Sequence, residues 1–115
     1  MVLKLWIDDV RSAPDGYFYC FSVNEAKRAI EESERSPWYE HWENGICVEK
    51  RQGISLIDID HDAGDYAYDG GDYIKLLDWL EETGRNYPIR IHSMNVVGRM
   101  NMEAICRRNG WKIVE

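Results

Sequence analysis

Aspartate and histidine fall into three short clusters along this chain: Asp8-Asp9, Asp60-His61-Asp62 and His92-Ser93-Met94-Asn95, with Arg11 and Arg99 a few residues beyond the first and last. Carboxylates brought together repel one another and raise each other's proton affinity unless a cation sits among them. Their hard oxygen ligands suit a divalent ion, Mg²⁺ or Mn²⁺, better than a soft metal. Histidine adds a group able to exchange protons near neutrality. Hydroxyl, amide and guanidinium donors add groups that grip an oxyanion. Together they suggest metal-assisted chemistry on an anionic ligand, provided that the chain folds so as to gather the three clusters.

The elements that would gather them are short apolar strands alternating with helical patterns, which argues for a parallel sheet. LKLWI (3–7) reads as a first strand, apolar as a strand covered on both faces should be, and it ends in Asp8 and Asp9. A Pro14-Asp15-Gly16 turn leads to the strand-like YFYCF. Ser22 and Glu25 have capping-box spacing, and Val23, Ala26, Ala29 and Ile30 then share one face of a helix expected over 23–35. In 37–53, Asn44-Gly45 would turn a hairpin between YEHW and ICVEK. ISLIDI (54–59) is the most convincing central strand, and six aspartates follow between Asp58 and Asp72. A second helix is expected over 72–83 with Gly84 as its stop, then the strand IRIH, a third helix over 96–108 closed by Asn109-Gly110, and a last strand WKIV.

The expected fold is thus an open α/β sandwich with a five-stranded, mostly parallel sheet and helices on both faces, formed as one domain over 1–115. In such sheets the ligand sits beyond the carboxyl ends of the strands, where strand order reverses. All three clusters lie at such ends, so residues distant in sequence converge on one rim.

Composition narrows the functional classes. In 115 residues, 44% hydrophobic and 12% aromatic side chains supply enough apolar surface for one core. No apolar run approaches the ~20 residues of a membrane span, and MVLKLWIDD lacks the features of a signal peptide, so a cytoplasmic protein with no membrane partner is expected. Cys20, Cys47 and Cys106 lack metal-ligand or disulfide spacing and read as core residues or free thiols. A net charge of −7 disfavours extended nucleic-acid binding, which depends on Lys and Arg displacing counterions.

Two short motifs compete for the aspartate-rich loop. Asp58-x-Asp60-x-Asp62 has the opening of a calcium loop, but Ala63 stands where glycine is needed and Asp69 where the closing glutamate belongs. A DxD after four apolar residues is also a phosphatase signature of the haloacid-dehalogenase type, but there Thr or Val follows instead of His61. The longer pattern is more specific. LWIDDVRSAPDG, SLIDIDHDAGD and IHSMNVVGRMNM, in that order, resemble the cyclic-phosphate processing receiver family, a divergent branch of the receiver domains of response regulators. The chain departs from that pattern at Ala63, Met94 and Val96 and in the extra aromatic segment 37–53.

The resemblance implies a receiver-like or flavodoxin-like sheet, with the first helix replaced by a loop, and a site for a small cyclic phosphate or an RNA terminal phosphate, in RNA repair or nucleotide processing. Such a phosphodiesterase needs charge neutralisation, a nucleophile and a proton for the leaving oxygen. Asp8, Asp9 and Asp60 would hold Mg²⁺ or Mn²⁺, with Asp62 in support. His92 is the preferred acid or base, and His61 the alternate. Ser93 and Asn95 would donate to phosphate oxygens, while Arg99 and Arg11 would supply positive charge. Each has a structural competitor: Asn95 as a helix cap, Ser93 as a turn residue, Arg99 as a surface ion-pair partner. The tryptophans, Met100 and Met102 read as core. Two other functions are carried alongside: a non-enzymatic receiver-like module that binds a ligand or a protein partner, for which segment 37–53 offers a surface, and a phosphoaccepting receiver using Asp60. A phosphorelay receiver would carry a lysine at the end of its last strand, whereas Lys112 lies within it.

Overall fold

The computed structural model describes residues 3–35, 39–51 and 53–115. In chain order the elements are β1 (Leu3–Ile7), β2 (Tyr17–Cys20), α1 (Val23–Arg35), β3 (Tyr39–Glu43), β4 (Ile46–Arg51), β5 (Ile54–Ile59), α2 (Ile74–Glu82), β6 (Ile89–Ile91) and α3 (Val96–Asn109), with one 3₁₀ turn at Gly64–Tyr66. β2, β1, β5 and β6 form a parallel sheet in that order. β3 and β4 form a separate antiparallel hairpin turning at Asn44 and Gly45, both at positive φ, as the Asn-Gly pair leads one to expect.

The sheet has four strands where five were expected. The WKIV segment meets it only through the parallel bridge between Ile89 and Ile113. Ile89 donates to the Lys112 carbonyl and accepts from the Val114 amide. β6 is three residues long and follows Pro88, which has no N–H to extend the ladder, so the last strand shrinks to this single contact.

Strand alternation divides the sheet into two unlike faces. Leu5 and Ile7 of β1, Cys20 of β2, Ile57 and Ile59 of β5, and Ile89 and Ile91 of β6 all point into one hydrophobic core. The same core takes Val23, Ala26 and Ile30 from α1, Leu76, Leu77 and Leu80 from α2, and Met102, Ile105 and Cys106 from α3. Each fully buried Leu or Ile there contributes roughly 1.5–3 kcal/mol relative to an exposed one. All three helices therefore pack on a single face, not on both. The cause is the handedness of the crossovers. Connections from β2 to β5, from β5 to β6 and onward all move across the sheet in one direction, and right-handed crossovers place their helices on the same side. Only β1 to β2 runs the other way, and its connector, 8–16, holds no helix, as the sequence implied.

Local signals fix the helix ends. Ser22 Oγ accepts from the Glu25 amide at the start of α1 and donates to Asp69 Oδ2. Asn95 Oδ1 accepts from the Gly98 amide to cap α3, which ends at Gly110 in a left-handed conformation. Cys20 and Cys106 are buried, Cys47 is exposed, and none forms a disulfide. Met102 and Trp111 are in the core, whereas Met100 and Trp42, also expected there, are exposed. Among the described residues, no helix is long and apolar enough to cross a membrane.

Candidate functional site

Strand order reverses at β1, which lies between β2 and β5, so the predicted ligand position is the carboxyl edge of β1 and β5. Three backbone bonds align that edge one residue past the strands. The Asp8 amide donates to Cys20 O at 3.3 Å, the Asp60 amide to Ile7 O at 2.9 Å, and the His92 amide to Ile59 O at 3.0 Å. The three sequence clusters are thereby brought level on one rim.

One carboxylate oxygen from each of Asp8, Asp9 and Asp60 lies within 4.8 Å of the other two. Asp8 is fully buried, and Asp9 and Asp60 are half-buried. Burial pushes the Asp9 carboxyl above the usual range, and the negative charges of Asp8 and Asp60 push it further. The donor set suits a divalent cation: three hard oxygens are held close, and their repulsion is what a positive ion would relieve. Asp9 reaches the group because Gly64, at φ +53, has no side chain, and a Cβ there would collide with Asp9 Oδ2.

Asp8 is held in place from both sides. Its Oδ1 accepts from the amides of Val10 and Arg11 at 3.0 and 3.1 Å, and its Oδ2 accepts from His92 Nε2 at 2.9 Å. Burial alone would raise the Asp8 carboxyl, but these backbone donors and the His92 ring hold it below its ordinary value.

His92 is not open to the rim as the acid–base role would want. Its Nδ1 donates to Asp58 Oδ1 at 2.6 Å, its Nε2 is committed to Asp8, and its side chain is 8% exposed. The ring lies flat on Trp6, with centroids 4.0 Å apart and planes 4° from parallel. His61 is better placed. Asp62 Oδ1 accepts from its Nδ1 at 2.8 Å, the ring is 17% exposed, and Nε2 makes no hydrogen bond among the described residues. The ring packs against Gly98 in the first turn of α3, and a Cβ on Gly98 would stand 2.5 Å from two of its carbons.

The remaining residues divide. Arg11 reaches across the rim and donates from Nη1 to the His92 carbonyl at 3.1 Å. Asn95 Nδ2 lies 3.5 Å from His61 Nδ1, but its carbonyl oxygen is spent on the cap of α3. Ser93 is buried and accepts from the Asn95 amide. Arg99 donates to Glu103 one turn along α3, an exposed i,i+4 pair.

The sequence reading weighed Asp58 only as the opening residue of the two competing short motifs, took Trp6 as core, and gave no role to Tyr17 or Arg90. Asp58 is fully buried in mid-strand, and its Oδ2 accepts from Arg90 Nη1 at 3.0 Å and from the Tyr17 hydroxyl at 3.2 Å. Trp6 and Arg90 are its register partners on the neighbouring strands, on the face that carries no helix. Burial would raise the Asp58 carboxyl, and the bonds from His92 and Arg90 outweigh it and hold the group low. A charge inside an otherwise apolar strand was the available signal, since a buried carboxylate must find donors.

Comparison with curated proteins and with solved structures finds no match. A family model, described as the Cyclic-phosphate processing Receiver domain, matches residues 3–108 and so takes in all three strand-end clusters. With its parallel sheet, its helix-free first crossover and its acidic rim, the chain belongs to the cyclic-phosphate processing receiver domain family.

Proposed function

We propose that this domain binds a terminal or small cyclic phosphate at the rim and opens it hydrolytically with the help of Mg²⁺ or Mn²⁺ held by Asp8, Asp9 and Asp60. The observation that carries the reading is the close approach of three carboxylate oxygens at the point of strand reversal. A divalent ion supplies Lewis acidity toward the non-bridging phosphate oxygens when bound. The chain's own residues do the rest. Asp62 fixes His61 with Nδ1 as donor, which leaves Nε2 to take a proton from water and return one to the leaving oxygen. Arg11 adds positive charge beside the phosphate and ties the 8–16 loop to the end of β6. His92 keeps Asp8 in place instead of exchanging protons with the ligand. Arg99 would have to leave Glu103 to join them, and Ser93 and Asn95 shape the turn and the helix start that carry His61's neighbour Gly98.

Thermal unfolding tests the metal requirement. Millimolar Mg²⁺ or Mn²⁺ should raise the melting temperature by several degrees, because a ligand at about 100 times its Kd stabilises the folded state by about 2.7 kcal/mol. Asp60→Asn should remove most of that shift. No shift in the wild type would rule the metal site out. The same carboxylates would also suit a phosphoaccepting Asp60, which intact mass after acetyl phosphate and Mg²⁺ distinguishes: a stable phosphoryl adduct would favour the receiver reading over hydrolysis.

A further inference from the structure

Asp58 is the most deeply buried charge of the sheet, and the chemistry proposed above leaves it idle. We propose that Asp58 is a positioning residue that acts through His92 to fix the Asp8 carboxylate in the orientation that receives the divalent cation; this rests on the metal-centred reading of the rim.

The geometry forms one continuous path that draws on all four strands of the sheet. Arg90 Nη1 and the Tyr17 hydroxyl donate to Asp58 Oδ2, and the His92 ring donates to its Oδ1 at 2.6 Å. Stacking on Trp6 at 4.0 Å prevents the ring from tilting, so the Asp58 bond leaves it little freedom to rotate about its side-chain axis. Its far nitrogen then meets Asp8 Oδ2 at 2.9 Å, while the backbone of Val10 and Arg11 holds Oδ1. Each carboxylate oxygen has two lone-pair sites; Val10 and Arg11 fill both on Oδ1 and His92 fills one on Oδ2, so Asp8 bonded in this way keeps one direction, on Oδ2, for a cation. A carboxylate pinned at both oxygens cannot swing away from Asp9 and Asp60. Arg90 and Tyr17 alone would have satisfied a structural carboxylate on one oxygen. The shortest of the three bonds points instead toward the rim, through a ring whose other nitrogen contacts a candidate ligand. Partners of this kind, one step behind the metal, commonly change affinity by about 10–100-fold when they are removed.

A double-mutant cycle read by Mn²⁺ affinity, from the paramagnetic resonance of free Mn²⁺, tests this. His92→Phe keeps an aromatic ring on Trp6 and removes both donors, and Asp58→Asn keeps the shape and removes the charge. Each should weaken Mn²⁺ binding by roughly 10-fold or more, and the double variant should bind no more weakly than His92→Phe alone, because both act along one path. Tyr17→Phe, which removes only a bond from the half-buried edge, should weaken binding in the same direction by less, and it decides the matter if Asp58→Asn does not fold. Wild-type affinity in Asp58→Asn, or in Tyr17→Phe where Asp58→Asn fails to fold, would overturn the proposal. So would additive losses in the double variant, or a lower melting temperature of the metal-free Asp58→Asn protein with affinity intact. A wild type that binds no Mn²⁺ is a different result and overturns the metal-centred reading itself.

Discussion

Gly64 and Gly98 keep the rim open, each by having no side chain. Gly64 combines a left-handed φ of +53 with the Asp9 carboxylate against its Cα, whereas Gly16, at φ +89, has nothing within 4 Å of the position of a Cβ. Alanine at Gly16 should therefore cost only backbone strain, about 1–2 kcal/mol, and leave Mn²⁺ affinity at the wild-type value. Gly64→Ala should carry that cost and also displace Asp9, weakening Mn²⁺ by about 10-fold or more in a calorimetric titration. Equal affinity in the two variants would mean that Asp9 is not a ligand. Gly98→Ala should destabilise by roughly 1–3 kcal/mol in urea unfolding, as overpacking does, and most of that penalty should vanish in a His61→Ala background, where the colliding ring is gone. A penalty independent of His61 would place the strain elsewhere. Legibility at this scale followed position in the strand. Asp8 and Asp60 could be read because they end apolar runs at a sheet edge. Asp58 could not, because its bonding partners lie on β2, on β6 and just past β6, and a single sequence does not say which strands are neighbours.

At the level of elements, most of the outline was legible. Capping residues, periodic apolar positions and the Asn44-Gly45 turn each act locally, and α1, α3 and the hairpin appear where those signals put them. What depended on pairing was not legible: the fourfold strand count and the packing of all helices on one face follow from the short β6 and from crossover handedness. The same non-locality explains Asp69, which stands in the loop ahead of α2 where a calcium loop would close. It accepts instead from Ser22 and Asn24 at the start of α1, and these two bonds hold its carboxyl low. α2 and α3 are clamped by a comparable contact, in which Arg108 donates twice to the Glu81 carboxylate, at 2.6 and 2.7 Å, and Asn109 also donates to it. Arg108 first, then Asn109, bring the Glu81 carboxyl down to about 2. A folded-state value below the unfolded one, about 4.3, stabilises the protein above that pH and stops doing so as the pH falls toward the lower value. The melting temperature of the wild type should thus exceed that of Glu81→Gln at neutral pH, and the gap should narrow as the pH falls below about 4 and close near the folded value of about 2. A gap that is constant from neutral to acid pH would show that the clamp does not act through charge.

The whole molecule carries a net charge of −7 and still gathers further carboxylates at the one edge where an anionic ligand is expected. Attraction for a phosphate cannot then come from the overall field, which repels it; on the function proposed here a bound cation and Arg11 would supply it. The same field argues for a small or terminal phosphate over an extended nucleic acid. The most direct measurement is phosphorus NMR of a nucleoside 2′,3′-cyclic phosphate incubated with the protein and Mg²⁺, which is diamagnetic and leaves the resonances sharp. The wild type should convert the cyclic resonance into that of a ring-opened monophosphate. Asp60→Asn should fail to do so, and His61→Ala should be slower by roughly 10²–10⁴-fold, the usual contribution of a positioned acid or base, while its Mn²⁺ affinity stays intact. A cyclic resonance that persists unchanged with metal-loaded wild type would contradict hydrolysis at this rim and leave a domain that binds the cyclic phosphate without opening it.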